Sequence, residues 1–268
     1  MEITIFLFFA FSLVLIVGAI AGSVGVGGGG LIVPILLIVG LLTPHEAIPI
    51  SKAMILGIAV TQVVYNIRRK TILFKLAFIL EPFTIIGTII GVQLNILAPE
   101  EVLIFILIII LPLIGIRTIK NAKKSKSDCL AVSEEAKSEI LENLSKKKLL
   151  IGISGSFIAG ILAGMVGIGG GMVKVPLMNE LGVTPTYACG TGIFMVLFTA
   201  TSTTTQFYLF GKLSLMLLVI GLIIGLSSSF IGVYLSKRVT NPYHLQLLLA
   251  GVILSSAILL TVQRLLYI

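Results

Sequence analysis

Tryptophan is missing altogether and charge is scarce: 11% of the 268 residues are Asp, Glu, Lys or Arg, while 57% are hydrophobic. A water-soluble domain carries about 25% charged residues. With so few, a surface cannot be kept free of large apolar patches, so a soluble fold is excluded. Cysteine is nearly missing too. Cys129 lies in a polar stretch and Cys189 at the start of an apolar run, and two such isolated thiols make neither a disulfide framework nor a metal cluster. No G-x-x-x-x-G-K-[ST] loop occurs, since Gly211-Lys212 is followed by Leu213, and neither H-E-x-x-H nor G-x-S-x-G is found. The machinery of an ATP-driven pump or a hydrolase is not visible. The chain reads as a non-enzyme with no cofactor.

The net charge of +8 does not indicate nucleic acid. Its basic residues stand in short blocks between apolar runs, as in cytoplasmic membrane loops, and no basic stripe interleaves with aromatics. The apolar runs are long enough to cross a bilayer. They read as segments 3–22, 31–42, 48–66, 72–95 and 101–119, then 149–166, 172–182, 188–210, 213–236 and 244–263. Ala19-Ile20-Ala21 has the look of a leader-peptide cleavage site. No Lys or Arg precedes it, however, and Ala21-Gly22 recurs internally as Ala163-Gly164, so the first segment is expected to be retained.

That recurrence belongs to a longer one. AGSVGVGGGGLIVP, residues 21–34, matches AGMVGIGGGMVKVP, residues 163–176, in nine of 14 columns without a gap. Thr43-Pro44 answers Thr184-Pro185, and Ile90-Gly91-Val92 answers Ile231-Gly232-Val233. The expected organisation is a first transmembrane repeat over 1–119, a charged cytoplasmic linker over 120–148 and a second repeat over 149–268. The second segment of each half is too short to cross a hydrocarbon core of about 30 Å and reads as a half-helix. Placing Arg68, Arg69, Lys70, the linker lysines, Lys237 and Arg238 inside leaves Glu100, Glu101 and Lys212 outside. Five segments per half then give an inverted repeat, a secondary-transporter design. Four crossings per half, with each Gly-broken pair counted as one, would give parallel repeats instead. The fold class expected is all-α integral membrane: two repeats of about five segments, inverted, with Gly-broken half-helices near the midplane.

Gly25, Gly27, Gly28, Gly29 and Gly30 literally contain G-x-G-x-x-G, but a dinucleotide fold needs a strand ahead of it, and an apolar helical run stands there. Consecutive glycines break a helix, at about 1 kcal/mol each relative to Ala, and leave backbone N–H groups uncovered. Such a break survives in a membrane only when buried or lining a watery cavity. The half-helix that follows points its N-terminal N–H groups into the break, which suits an anion. The second break, Gly167, Gly169, Gly170 and Gly171, repeats the arrangement, and the two would meet. Glycines can also serve close helix packing alone.

Three of the ionisable residues within segments stand out: Lys52, Glu81 and Lys174. Each costs about 2.5–3.5 kcal/mol to insert and needs a partner or water. Lys174 stands at the positive end of a half-helix, where an anion would relieve it; pairing with Glu81 is the structural alternative. Lys52 either joins the site or snorkels to the interface. Glu81 pairs with a lysine or carries a proton. The hydroxyl-rich run Thr199, Thr201, Ser202, Thr203, Thr204, Thr205 wraps more than one helical turn, so part of it must face the bundle interior, although such hydroxyls also bond their own helix. His45 and His244 sit near segment ends and mark interfaces.

The motifs VGVGGGGLIVP, residues 24–34, and VGIGGGMVKVP, residues 166–176, resemble those of the sulfite exporter TauE/SafE family. Ala188-Cys189-Gly190-Thr191-Gly192 resembles that family's polar motif after the second break, and Arg68-Arg69-Lys70 its basic loop. The first half departs from the pattern at Pro49-Ile50-Ser51-Lys52, where a small-residue Thr-Ser motif is usual. The resemblance, over nearly the whole chain, implies a carrier of small anions, often sulfur oxyanions or organosulfonates, in the cell membrane. Candidate substrate-binding residues are Gly25, Gly27, Gly28, Gly29, Lys52, Gly167, Gly169, Gly170, Gly171, Lys174 and Thr191, with Glu81 as coupling group or ion-pair partner. The partners expected are a small anion and the lipid bilayer, with assembly into a homo-oligomer left open. Two other readings stay open: a proton- or cation-coupled carrier working through Glu81, and a membrane subunit that transports nothing.

Overall fold

The computed structural model describes residues 12–19, 29–40, 42–125, 146–236 and 242–266. Within them the chain is helical, with no strand. Helix α1 covers 12–19. It is followed by α2 (Gly29–Ile38), α3 (Pro44–Arg68), α4 (Phe74–Leu97) and α5 (Glu100–Ser125), then α6 (Lys146–Val166), α7 (Gly171–Glu180), α8 (Pro185–Leu209), α9 (Leu215–Ser236) and α10 (Pro242–Leu266). Five of these, α3, α4, α5, α6 and α9, are long and apolar enough to cross a membrane. With their outward-facing Phe78, Phe105, Leu113, Ile223 and Phe230, they make this a multi-pass membrane protein. Helix α8 has the length, at 25 residues, but its hydroxyl-rich run lowers its apolarity. The two short helices have 10 residues each, about 15 Å and half the thickness of the hydrocarbon core.

Local sequence sets the helix ends. Thr43-Pro44 and Thr184-Pro185 start α3 and α8 with an extended Thr cap and Pro in the first turn, where a missing N–H costs nothing. The Glu46 carboxylate accepts the Thr43 amide at 3.0 Å. The expected linker 120–148 is helical at both ends: α5 continues through Ser125 and α6 begins at Lys146. The Lys-rich ends of these helices need no lipid cover and simply prolong them. The rest of the linker, with Cys129 and Lys137, lies outside the described residues, as do Lys237, Arg238 and the His244 side chain.

Small residues set the helix pairing. Gly87 and Gly91 on α4 meet Gly160 and Gly164 on α6, and a Cβ at any of them would run into the facing backbone. This close approach supplies dispersion contacts that lipid chains cannot match. Gly57 on α3 meets Gly225 on α9 in the same way, and Gly221 packs on Ala53 and Met54. The register of these contacts gives direction. Gly160 faces Thr84 and Gly87 while Gly164 faces Thr88 and Gly91, so α4 and α6 run parallel. Gly221 faces Ala53 while Gly225 faces Met54 and Ile58, so α3 and α9 run parallel. Short connections reverse the chain between α3 and α4 and between α8 and α9, so α8 runs against α3 and α9 against α4. Helix starts also recur: Gly29 and Gly171, Pro44 and Pro185, Phe74 and Leu215, and Glu100 and Pro242 lie 141 or 142 positions apart.

Candidate functional site

The second glycine break is an unwound stretch over 167–170 between α6 and α7. Gly167 has φ 78°, a left-handed conformation open to glycine at little cost. Its amide closes α6 onto the Ala163 carbonyl at 3.3 Å, and α7 resumes with the Lys174 amide bonded to the Gly170 carbonyl at 2.8 Å. Between these bonds, the amides of Ile168, Gly169 and Gly170 donate to no group among the described residues. The Asn95 side chain, from α4, donates to the Met165 carbonyl at 2.6 Å and pins the end of α6 against the break.

The start of α2 meets the second break. A Cβ at Gly29, the first residue of α2, would fall on the backbone of Gly169, and Gly30 packs against the Met172 sulfur. The half-helices therefore cross backbone to backbone at their N-terminal ends.

Two lysines and a glutamate converge beside this crossing. Lys174 is fully buried, and its Nζ lies 2.9 Å from Glu81 Oε2 on α4. Thr199 Oγ1, from α8, accepts from Lys174 Nζ at 2.5 Å and lies 2.8 Å from Glu81 Oε1 and 2.9 Å from the Met195 carbonyl. The single Thr199 proton goes to one of these two acceptors. Thr84, one turn along α4, also faces the carboxylate. Lys52, on α3, is 1% exposed and close enough to Lys174 for the two cations to repel. Its ammonium has no carboxylate within 4 Å among the described residues; its one contact, to the Ile168 carbonyl in the break, is long at 3.5 Å. Two lysines against one glutamate leave one buried amine without a carboxylate among the described residues.

Several expected site residues are thus brought together: Gly29, Gly167, Gly169, Gly170 and Gly171 at the crossing, and Lys52, Glu81 and Lys174 beside it. Gly25, Gly27 and Gly28 lie outside the described residues. Thr191 takes a different place. Its hydroxyl oxygen accepts the Leu73 amide at 2.9 Å and so holds the start of α4. Snorkelling is excluded for Lys52, which stands two turns inside α3 under full cover. Of the hydroxyl run, Thr199, Thr203 and Thr204 are buried, whereas Thr201 and Thr205 are exposed. Sequence reasoning did not single out Thr199 within that run, because only helix rotation distinguishes it. Nor did it single out Gln62, which is buried on α3 with neither amide atom hydrogen-bonded among the described residues. A lone amide in the middle of an apolar run was the available signal.

Comparison with known proteins bears on this site. The profile of the family described as Sulfite exporter TauE/SafE matches residues 10–260. Sulfite exporter TauE/SafE family protein 3 of Arabidopsis thaliana is 24% identical, with 72% of this chain and 64% of that protein covered. The Probable membrane transporter protein YunE of Bacillus subtilis (strain 168) is 27% identical, over 70% of this chain and 74% of its own length. Sulfite exporter TauE/SafE family protein 5 of Arabidopsis thaliana is 46% identical over a shorter stretch, 21% of this chain and 12% of that protein. The chain spans about two thirds or less of the plant relatives it matches. No solved structure matches.

Proposed function

The chain belongs to the sulfite exporter TauE/SafE family, and from that premise we propose that it is a secondary transporter of small anions, sulfur oxyanions or organosulfonates among them, in the cell membrane. One observation carries the reading: Lys52 is buried with no carboxylate partner among the described residues, beside an unwound backbone whose Ile168, Gly169 and Gly170 amides donate to no described group. An uncompensated buried charge costs several kcal/mol, and an anion bound between Lys52 and the break would remove that cost. These amides and the α7 N-terminus would supply directed donors, as in other helix-terminus anion sites. Nothing in this arrangement needs covalent chemistry. The names of the relatives, an exporter family and a probable membrane transporter, support the same reading.

The transport cycle rests on the arrangement of the halves. An inverted repeat of 1–119 and 149–268 is supported by the antiparallel course of α3 and α8, by that of α4 and α9, and by the recurrent helix starts. Such halves can rock about a fixed site so that it faces each side in turn. The Lys174–Glu81 pair favours a coupled form of this carrier over a passive channel.

Purified protein in liposomes tests the function. Given a panel of sulfite, sulfate and methanesulfonate, it is expected to carry at least one of them in a saturable manner. A folded protein that moves none of them would overturn the carrier reading and leave a membrane subunit without transport activity.

A further inference from the structure

The Lys174 ammonium is already occupied. It donates one hydrogen bond to Glu81 at 2.9 Å and another to Thr199, whose hydroxyl also bonds to the second oxygen of the same carboxylate. An anion held by Lys52 at the break can pair fully with the neighbouring Lys174 as well only if Glu81 gives way. The surroundings limit how it can do so. On α6, which packs along α4, the lysines lie only in the first three residues, Lys146 to Lys148, and α8 carries no Asp, Glu, Lys or Arg. Among the described residues, Lys52 on α3 is the other ionisable side chain buried beside this cluster, and it too is a lysine. A displaced Glu81 carboxylate would stand with no second basic partner among the described residues except these same two lysines. Leaving a buried charge unpaired is the costly outcome, and taking up a proton avoids it.

Resting on the carrier reading above, we propose that Glu81 is the proton-binding site of the transporter: the carboxylate takes up one proton for each anion that replaces it on Lys174, and returns it when the anion leaves. The step balances. Lys174 keeps its three protons and its charge throughout. The anion forms the ion pair that Glu81 gives up, and the proton comes from the compartment that supplies the anion. For a monoanion the charge of the cluster is the same before and after, so anion and proton travel together and electroneutrally. Thr199 suits the exchange, because its hydroxyl can accept from Lys174 in both states and turn its own proton to Glu81 or to the Met195 carbonyl. A permanent structural clamp would satisfy the same distances in the resting state, but it would move no proton.

The experiment uses proteoliposomes with a pH-sensitive dye inside and radiolabelled methanesulfonate or sulfate, whichever the panel above shows to be carried. Both stay free of bound protons near neutral pH, so any proton that moves is moved by the protein. With wild-type protein, inward anion flux acidifies the lumen. With methanesulfonate, an imposed inward gradient of one pH unit drives about tenfold accumulation at one-to-one coupling, since one unit is a tenfold difference in proton activity. Glu81→Gln, which keeps the shape and cannot titrate, lowers that ratio to about one. Anion flux that leaves the lumenal pH unchanged in wild-type protein, or undiminished accumulation in Glu81→Gln, would overturn the proposal. The wild-type dye signal decides the matter even if the variant does not fold. Absence of flux for every anion in wild-type protein is a separate result and counts against the carrier reading itself.

Discussion

The two half-helices share a backbone and differ in charge. Helix α2 begins at Gly29 and α7 at Gly171, each 10 residues long, and each contains a Pro, Pro34 or Pro176. At the fourth position, α2 carries Ile32, fully buried among Val, Ile and Leu, and α7 carries Lys174, fully buried against Glu81 and Thr199. The doubled glycine motif supplies the scaffold, a crossing of two helix N-termini. The chemistry comes from single positions at which the halves diverge, and Lys52, Glu81 and Thr199 likewise have no charged or hydroxylated counterpart at the offset that relates the helix starts. A two-sided scaffold thereby holds a one-sided site.

Removing one partner of the buried pair is the most damaging way to break this asymmetry. Glu81→Ala leaves Lys174 without compensation and should cost about 3–5 kcal/mol, seen as a lowered thermal midpoint in detergent. The double variant Glu81→Gln with Lys174→Met removes both charges and should recover most of that loss, because replacing a whole buried pair is often neutral. Copying the charge into the first half is nearly as severe. Ile32→Lys puts a lysine where the packing is entirely apolar, at a cost of about 2.5–3.5 kcal/mol on insertion scales, with no gain in anion affinity. Filling the crossing itself comes next. A Cβ at Gly29 meets the Gly169 backbone, so Gly29→Ala should destabilise by about 1–3 kcal/mol as overpacking does and slow transport. Smallest is Ile32→Val, at about 0.5–1.5 kcal/mol for the lost methylene, with transport kinetics unchanged. If Ile32→Val altered substrate selectivity in a flux assay, helix α2 would line the site as α7 does and the asymmetry between the two half-helices would be wrong.

Much of this was open to reading from the chain. Glycine runs inside apolar stretches, followed by segments too short to cross, gave the second break and both half-helices, and the apolar runs from 48 and 188 placed the starts of α3 and α8 within a few residues of Pro44 and Pro185. With few ionisable residues away from the segment ends, the Lys174–Glu81 pair was within reach of the sequence. Helix rotation and tertiary cover were not legible. Lys52 stands near enough to the start of α3 for its stem to reach an interface, and only the packing of neighbouring helices over it shows that it does not. Thr191 lies in a polar motif, and that its hydroxyl oxygen accepts the Leu73 amide could not be read from its place in that motif. Thr199 was hidden in a run of similar hydroxyls, and one residue in either direction would have turned it away from Glu81.

The central claim is that the unpaired buried lysine beside the second break holds the anion. Equilibrium binding of the carried anion to purified Lys52→Met and to wild-type protein tests it most directly. This variant removes a buried charge that has no carboxylate to strand, so its thermal midpoint should hold or rise. Truncating one member of a buried charge pair costs about 2–5 kcal/mol, so the dissociation constant should rise by about 30-fold or more, while a folded Lys52→Met that binds the anion as tightly as wild type would contradict the account.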